Sequence, residues 1–167
     1  ITLARFSEAF LVLRGQQLGL PMAWVPAVIL VMSLVYAASA YPAGLAARYW
    51  SRRTLLATGL AVLIGADLVL ATADGIVLVL AGAALWGLHM GLTQGLLAAL
   101  VADAVPPERT GTAFGVFHLA TGVFLLLASA LAGLVWDRYG APATFLTGAG
   151  FSAVALAGLL FSHRRYG

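Results

Sequence analysis

Charge is scarce in this sequence. Only 9% of its 167 residues are charged, against roughly 25% in an average soluble domain. The apolar set makes up 62%, and mean hydropathy is +1.01. So few polar groups cannot cover the surface of a globule of this size. That excludes an ordinary soluble enzyme, a nucleic-acid-binding domain and a disordered chain. Lysine is absent, and all nine basic residues are Arg, giving a formal net charge of +3. Cysteine is absent too, so disulfides and thiolate metal sites are excluded. There is no initiator Met, and the stretch from Ile1 to Arg5 has no basic region ahead of an apolar run. It therefore does not read as a cleavable signal peptide, and the chain is expected to begin inside a longer protein. Alternation of polar and apolar residues is lacking as well. Runs such as Leu68-Val69-Leu70-Ala71 and Ile76-Val77-Leu78-Val79-Leu80 argue against a closed β-barrel. What remains is an all-α, multi-pass membrane protein with the lipid bilayer as its main solvent.

A bilayer core of roughly 30 Å takes about 20 helical residues to cross. Six apolar segments are predicted as transmembrane helices: residues 1–14, 24–47, 53–73, 75–103, 108–136 and 143–162. Five are long enough to span. The first stops short at Arg14, Gly15, Gln16 and Gln17, so it reads as truncated, with its opening turns upstream of Ile1. Orientation follows from Arg in the short breaks. Arg48, Arg52 and Arg53 in the second break, Arg109 in the fourth, and Arg164 and Arg165 in the tail share one side. Arg14 and Arg138 lie on the other, where the third break holds only Asp74. The Arg-rich side, with the C-terminus, is expected in the cytoplasm.

Two loop motifs look alike. One runs from Gly44 through Arg48 to Arg52 and Arg53; the other runs from Gly133 through Asp137 and Arg138 to Gly140. Their leading glycines are 89 residues apart, about half the chain. Each closes the second helix of a three-helix set. The single bundle of residues 1–167 thus reads as two repeats, about 1–73 and 75–163. An odd number of helices per repeat inverts the second relative to the first, a recurring device of secondary transporters. The other reading is that glycine followed by aromatic and basic residues is common at helix ends.

These stretches carry a resemblance. Gly44 to Arg53 resembles the loop motif of the major facilitator superfamily, and Pro106 to Gly115 resembles that family's entry into its eleventh helix. Gly133 to Gly140 is similar to the end of the same helix. The opening Arg5-Phe6-Ser7-Glu8-Ala9-Phe10 is similar to the seventh helix of many bacterial members. The chain as a whole resembles the C-terminal six-helix half of such a transporter. The first loop departs from the pattern: the expected carboxylate falls on Arg48 or Ala47, and Trp50-Ser51 occupies the region of the second glycine. Asp137 does fit. The resemblance implies alternating access in a bacterial cytoplasmic membrane, around a cavity lined by the first, second, fourth and fifth helices.

The fourth segment carries Gly87, Gly91, Gly95 and Ala99 at four-residue spacing, a stripe that permits close helix packing; Gly111 and Gly115 repeat the device in the fifth. Ionisable groups at membrane depth are costly and invite a functional reading. Arg5 and Glu8 lie three apart on one side of the first helix. They form either a structural ion pair or a substrate and proton site with Glu8 as the proton-carrying carboxylate. His89 shares a face with Trp86 and Thr93. His118 aligns with Thr121 and Ser129, and Tyr36 with Ser33 and Ser39. With the implied cavity, these stripes form its aromatic and hydrogen-bonding wall, and imidazole titrates in the range proton coupling needs. The plainer reading for each His is a hydrogen bond to a neighbouring helix, and for His118, close to the cytoplasmic end, it is preferred. Gln94 offers an uncharged hydrogen-bonding group. Asp67, late in the third helix, is read as a supporting rather than a transporting residue. Arg109, Glu108 and Asp103 bracket the Pro106-Pro107 break, as loop structure first and a gating ion pair second.

Transport of a small molecule, proton-coupled and in the direction of efflux, is the leading function, with small-molecule substrate and protons as partners. Six helices give only one wall, so the missing N-terminal half or a second copy is needed. A half-size scaffold or partner subunit is the alternative. An intramembrane enzyme is disfavoured: Gly150-Phe151-Ser152-Ala153 lacks a second glycine, His163 offers it no convincing dyad, and no HExxH occurs. No cofactor, metal or nucleic acid is expected.

Overall fold

The computed structural model describes residues 6–161, apart from the side chain of Ala23. Arg5 and the tail arginines Arg164 and Arg165 lie outside the described residues. The described residues fold into helices joined by short turns, with no strand among them. The helices are α1 (Ala9–Gln17), α2 (Val25–Ala46), α3 (Arg52–Thr72), α4 (Ile76–Asp103) and α5 (Thr110–Phe161). Four of them, α2 to α5, are long and apolar enough to cross a membrane.

Local chemistry sets the ends. Ser51 caps α3 by accepting a hydrogen bond from the Thr54 amide at 3.1 Å. α1 runs through Arg14, Gly15, Gln16 and Gln17, which sequence reading had placed in a break. It stops instead at Gly19, whose φ of 88° is open to glycine at little cost. The Leu20 amide bonds back to the Gly15 carbonyl and the Gly19 amide to that of Gln16, the Schellman pattern.

The 52-residue α5 is not one rod. Gly140 has φ 81° and ψ 177°, a conformation essentially reserved for glycine. Thr144 Oγ1 lies 3.5 Å from the Ala132 carbonyl across it. Twelve residues of unbroken helix would separate them by about 18 Å. The chain therefore doubles back, and the loop expected near residues 137–142 shrinks to one glycine. The two arms span 110–139 and 141–161. Pro142 sits in the opening turn of the second, where its missing N–H has no helical partner to lose.

Contacts fix the directions. α2 and α4 advance together, with Met32 against Gly87 and Ser39 against Gly91. α3 opposes α4, with Gly59 near His89 and Leu70 near Gly82. The second arm opposes α3: Arg53 donates to the Leu160 carbonyl, and Asp67 lies beside Gly148. A Cβ on Gly87 would collide with the Met32 backbone carbonyl, so the α2–α4 seam depends on that glycine. The stripe does not behave as one unit. Gly87 and Gly91 are packed, whereas nothing lies within 4 Å of a Cβ on Gly95, Gly111 or Gly115.

The core lies between α1, α4 and the two arms. Phe6 meets Phe10, Trp86 and Phe145 with ring centroids 5.2, 5.4 and 5.6 Å apart, and Trp136 packs on Phe10 at 5.5 Å. Such pairs add roughly 0.5–1.5 kcal/mol each beyond area burial. Outside the core the surface is apolar: Leu30, Leu34, Val116, Leu119, Leu126 and Val154 are all exposed. In water that surface would drive association. In lipid it is the expected exterior.

Candidate functional site

A cavity of about 380 Å³ opens between α2, α4 and the first arm of α5. It lies in the part of the bundle nearer Arg52 and Asp103. Tyr36 comes from α2. His89, Thr93, Gln94 and Gly95 come from α4, and Phe114, Phe117, His118 and Thr121 from the arm. The helical period explains the grouping, since 114, 117, 118 and 121 fall on one face.

The polar groups are held by hydrogen bonds. The Tyr36 hydroxyl donates to Gln94 Oε1 at 3.2 Å, joining α2 to α4 across the floor of the cavity. His89 Nδ1 donates to the Gly59 carbonyl of α3 at 2.8 Å, which fixes the proton on that nitrogen. Thr93 Oγ1 donates to the His89 carbonyl at 2.8 Å. His89 and Thr93 are 1% and 2% exposed, so they meet the cavity only at its edge. His118 is different. It is exposed, stacked near Phe114 with centroids 6.0 Å apart, and edge-on to Phe117 at 5.4 Å. Gly95 has no side chain to fill the space in front of it, which keeps the hollow open.

Of the residues singled out from the sequence, Tyr36, His89, Thr93, His118 and Thr121 line this cavity. Trp86 does not. It is completely buried in the aromatic core against Phe6, because that face of α4 turns inward. Glu8 is half-buried at the start of α1 and makes no ion pair with a described residue. Ser39 is turned into its own helix, donating to the carbonyls of Val35 and Tyr36, and Ser129 accepts from the Ser7 amide.

The loop residues separate into two ends. Gly44 and Arg48 are exposed where α2 stops. Arg52 pairs with Asp103 on the surface, an arrangement worth at most about 1 kcal/mol. Arg53 Nη2 donates to the Leu160 carbonyl at 2.6 Å, stitching α3 to the second arm. Arg109, in the 3₁₀ turn Pro107–Arg109, lines a second, apolar groove. Asp137 and Arg138 are exposed beside Gly140, at the far end of the bundle.

Some contributors escaped sequence reading. Phe114 lies one helical turn before His118, and that spacing was the available signal. Gly59 receives His89, but nothing in the sequence pairs residues 30 apart on different helices. Asp67 is completely buried, and neither carboxyl oxygen has a hydrogen-bond partner among the described residues. Gly148 supplies the room for it. No group of three or more His, Asp or Glu able to hold a metal occurs among the described residues.

The family model of the Major Facilitator Superfamily matches residues 7–166, nearly the whole chain, and the chain belongs to that family. No curated protein shows significant similarity to it. Members of this family are membrane transporters rather than enzymes. The family and the apolar helices together identify an integral membrane protein.

Proposed function

We propose that the chain is the C-terminal half of a proton-coupled secondary transporter that moves a small molecule by alternating access. The observation that carries this reading is the cavity between α2, α4 and the first arm. It sets aromatic rings and uncharged hydrogen-bonding groups around a hollow at membrane depth. Pockets of this size and lining suit drug-sized ligands.

Several features support the rest. The reversal at Gly140 supports separate crossings for the two arms, five together with α2, α3 and α4, and the nine-residue α1 is taken as the end of a sixth. The motifs starting at Gly44 and Gly133 close helices at opposite ends of the bundle, as inverted repeats require. Arg48, Arg52, Arg53 and Arg109 gather at one end, which is placed in the cytoplasm together with the C-terminus; the membrane is the bacterial inner one. A second six-helix half, either the N-terminal part of a longer chain or another copy, closes the open side and completes the path. Glu8 is the proton-carrying carboxylate, and the aromatic lining suits export of amphipathic compounds.

The test is pH-gradient-driven transport by the full-length protein in proteoliposomes. Glu8→Gln is expected to abolish the dependence on the gradient. Gly95→Leu, which fills the hollow without touching a helix seam, is expected to abolish transport while leaving the protein folded. Transport at the unaltered rate in Gly95→Leu would falsify the cavity as the path.

A further inference from the structure

The seam between α3 and the second arm of α5 encloses a carboxyl group that nothing binds. Asp67 is completely buried, and neither of its oxygens has a hydrogen-bond partner among the described residues. It faces Gly148. A Cβ built on that glycine would stand 2.8 Å from Asp67 Oδ2 and 2.8 Å from the Phe6 ring. The bare glycine thus supplies the space for the carboxyl, and Phe6 closes it from the side of α1. One turn further along the arm, Ser152 is also completely buried, and its hydroxyl has no partner among the described residues. A hollow of about 10 Å³ is lined by Phe6, Thr144, Thr147 and Gly148, but Asp67 does not line it. Both polar groups are sealed while the seam is shut, and parting the arm from α3 would hydrate them together.

No neighbouring charge answers Asp67. Residues 141–161 of the second arm contain no ionisable side chain of the Asp, Glu, His, Lys or Arg type. On α4, His89 bonds the Gly59 carbonyl, eight residues before Asp67 and about 12 Å away along α3. On α1, Arg14 is held by the Leu70 and Ala73 carbonyls, and Glu8 is half-buried at the start of the helix. Asp74, Asp137 and Arg138 are exposed at the ends of their helices. Among the described residues the one ion pair joins Arg52 and Asp103, at the opposite end of α3. A charged carboxylate in this seam would be desolvated with neither a hydrogen bond nor a counter-charge, which is prohibitive. A hard metal cation needs a shell of oxygen ligands, and Phe6 and Gly148 offer none from their side chains. A proton needs only the carboxyl itself.

We propose that Asp67 is a second proton-binding site, away from the cavity, whose protonation holds the second arm shut against α3. With the seam closed the group is a neutral acid. When the arm parts, the carboxyl O–H bond breaks, the proton passes to water, and the carboxylate is left hydrated. The proton binds the closed arrangement better than the open one, so it shifts the balance between them by that difference in affinity. This adds a site to the proton-coupled reading, on which its use in transport rests.

The experiment uses the full-length protein with spin labels on Leu68→Cys and Leu146→Cys, two exposed positions on either side of the seam. The distance between the labels is followed as pH is raised, alongside the infrared band of protonated carboxyl groups. The labels are expected to move apart by several ångströms as the proton leaves. Asp67→Asn and Asp67→Leu, which cannot ionise, are expected to stay at the short distance at every pH. Using both guards against a folding defect in either one. The infrared band lost on raising the pH is expected to be smaller in Asp67→Asn and to keep its Asp67 part in Glu8→Gln. A distance that ignores pH in the otherwise unaltered protein overturns the proposal. So does a pH response that persists in Asp67→Asn, or an infrared change that is the same with and without Asp67. Ethidium transport driven by a pH gradient in proteoliposomes separates the two readings. Transport that Asp67→Asn leaves unchanged sustains the transporter and overturns the part given to Asp67. A seam that responds to pH through Asp67, in a protein that moves no ethidium, sustains the site and counts against export of amphipathic compounds.

Discussion

Arg14 donates from Nη2 to the Ala73 carbonyl at 2.7 Å, and from Nε to that of Leu70 at 3.2 Å. One guanidinium thus satisfies two carbonyls at the end of α3, where a helix carries unpaired acceptors and partial negative charge. The side chain is buried, and its third contact is Gln17 Oε1 within α1. Arg14→Ala strands both carbonyls and should cost about 1.5–3 kcal/mol. Thermal unfolding in detergent reads this as a fall of roughly 2–4 °C per kcal/mol. Arg14→Lys is expected to recover only part, since an ammonium lacks the flat fork that reaches both oxygens. An unchanged melting temperature in Arg14→Ala would remove the clamp from the account.

Gly140 is the second point of leverage. A side chain there is strained whatever space surrounds it, at a cost of about 1–3 kcal/mol. Gly140→Ala should lower the melting temperature. Gly150→Ala, in the exposed helical part of the second arm with nothing within 4 Å, should raise it slightly, by about 0.5–1 kcal/mol. The contrast separates backbone strain from any general intolerance of alanine.

The α2–α4 seam predicts another contrast within a single stripe. Gly87→Ala pushes a methyl group into the Met32 backbone, which cannot rotate aside, and overpacking of this kind costs about 1–3 kcal/mol. Gly95→Ala meets nothing and should be neutral or stabilising. Equal effects in the two melting curves would mean that the seam is looser than described.

Orientation is testable because the chain has no cysteine of its own. Tyr49 and Tyr139 are 87% and 72% exposed at opposite ends of the bundle. Tyr139→Cys should react with a membrane-impermeant maleimide in intact cells. Tyr49→Cys should react only after permeabilisation. Labelling of both from outside would contradict the three crossings, α3, α4 and the first arm, that separate them.

The parts of this organisation that local sequence determines were legible in it. Long apolar runs gave α2 to α4 nearly to their ends, because lipid demands about 20 uninterrupted residues. The face shared by His118 and Thr121 followed from helical period. Partners across helices were not legible. Arg14 sits in a locally polar stretch and reads as a loop charge, and its acceptors are 56 and 59 residues away. His89 turns toward Gly59, and Trp86 turns into the aromatic core, through a rotation of α4 that composition cannot supply because the helix is apolar all round. Asp67 could be flagged as costly from its depth, but not its enclosure beside Gly148.

A one-glycine connection also leaves the chain no slack. An insertion or deletion beside Gly140 would rotate every following residue by about 100° around the arm's axis. Gly148 would swing away from Asp67, and Leu160 from the reach of Arg53. Length changes there scramble the register of the whole second arm at once, whereas the turn at residues 104–109 can absorb them without disturbing any side chain on the α3 side.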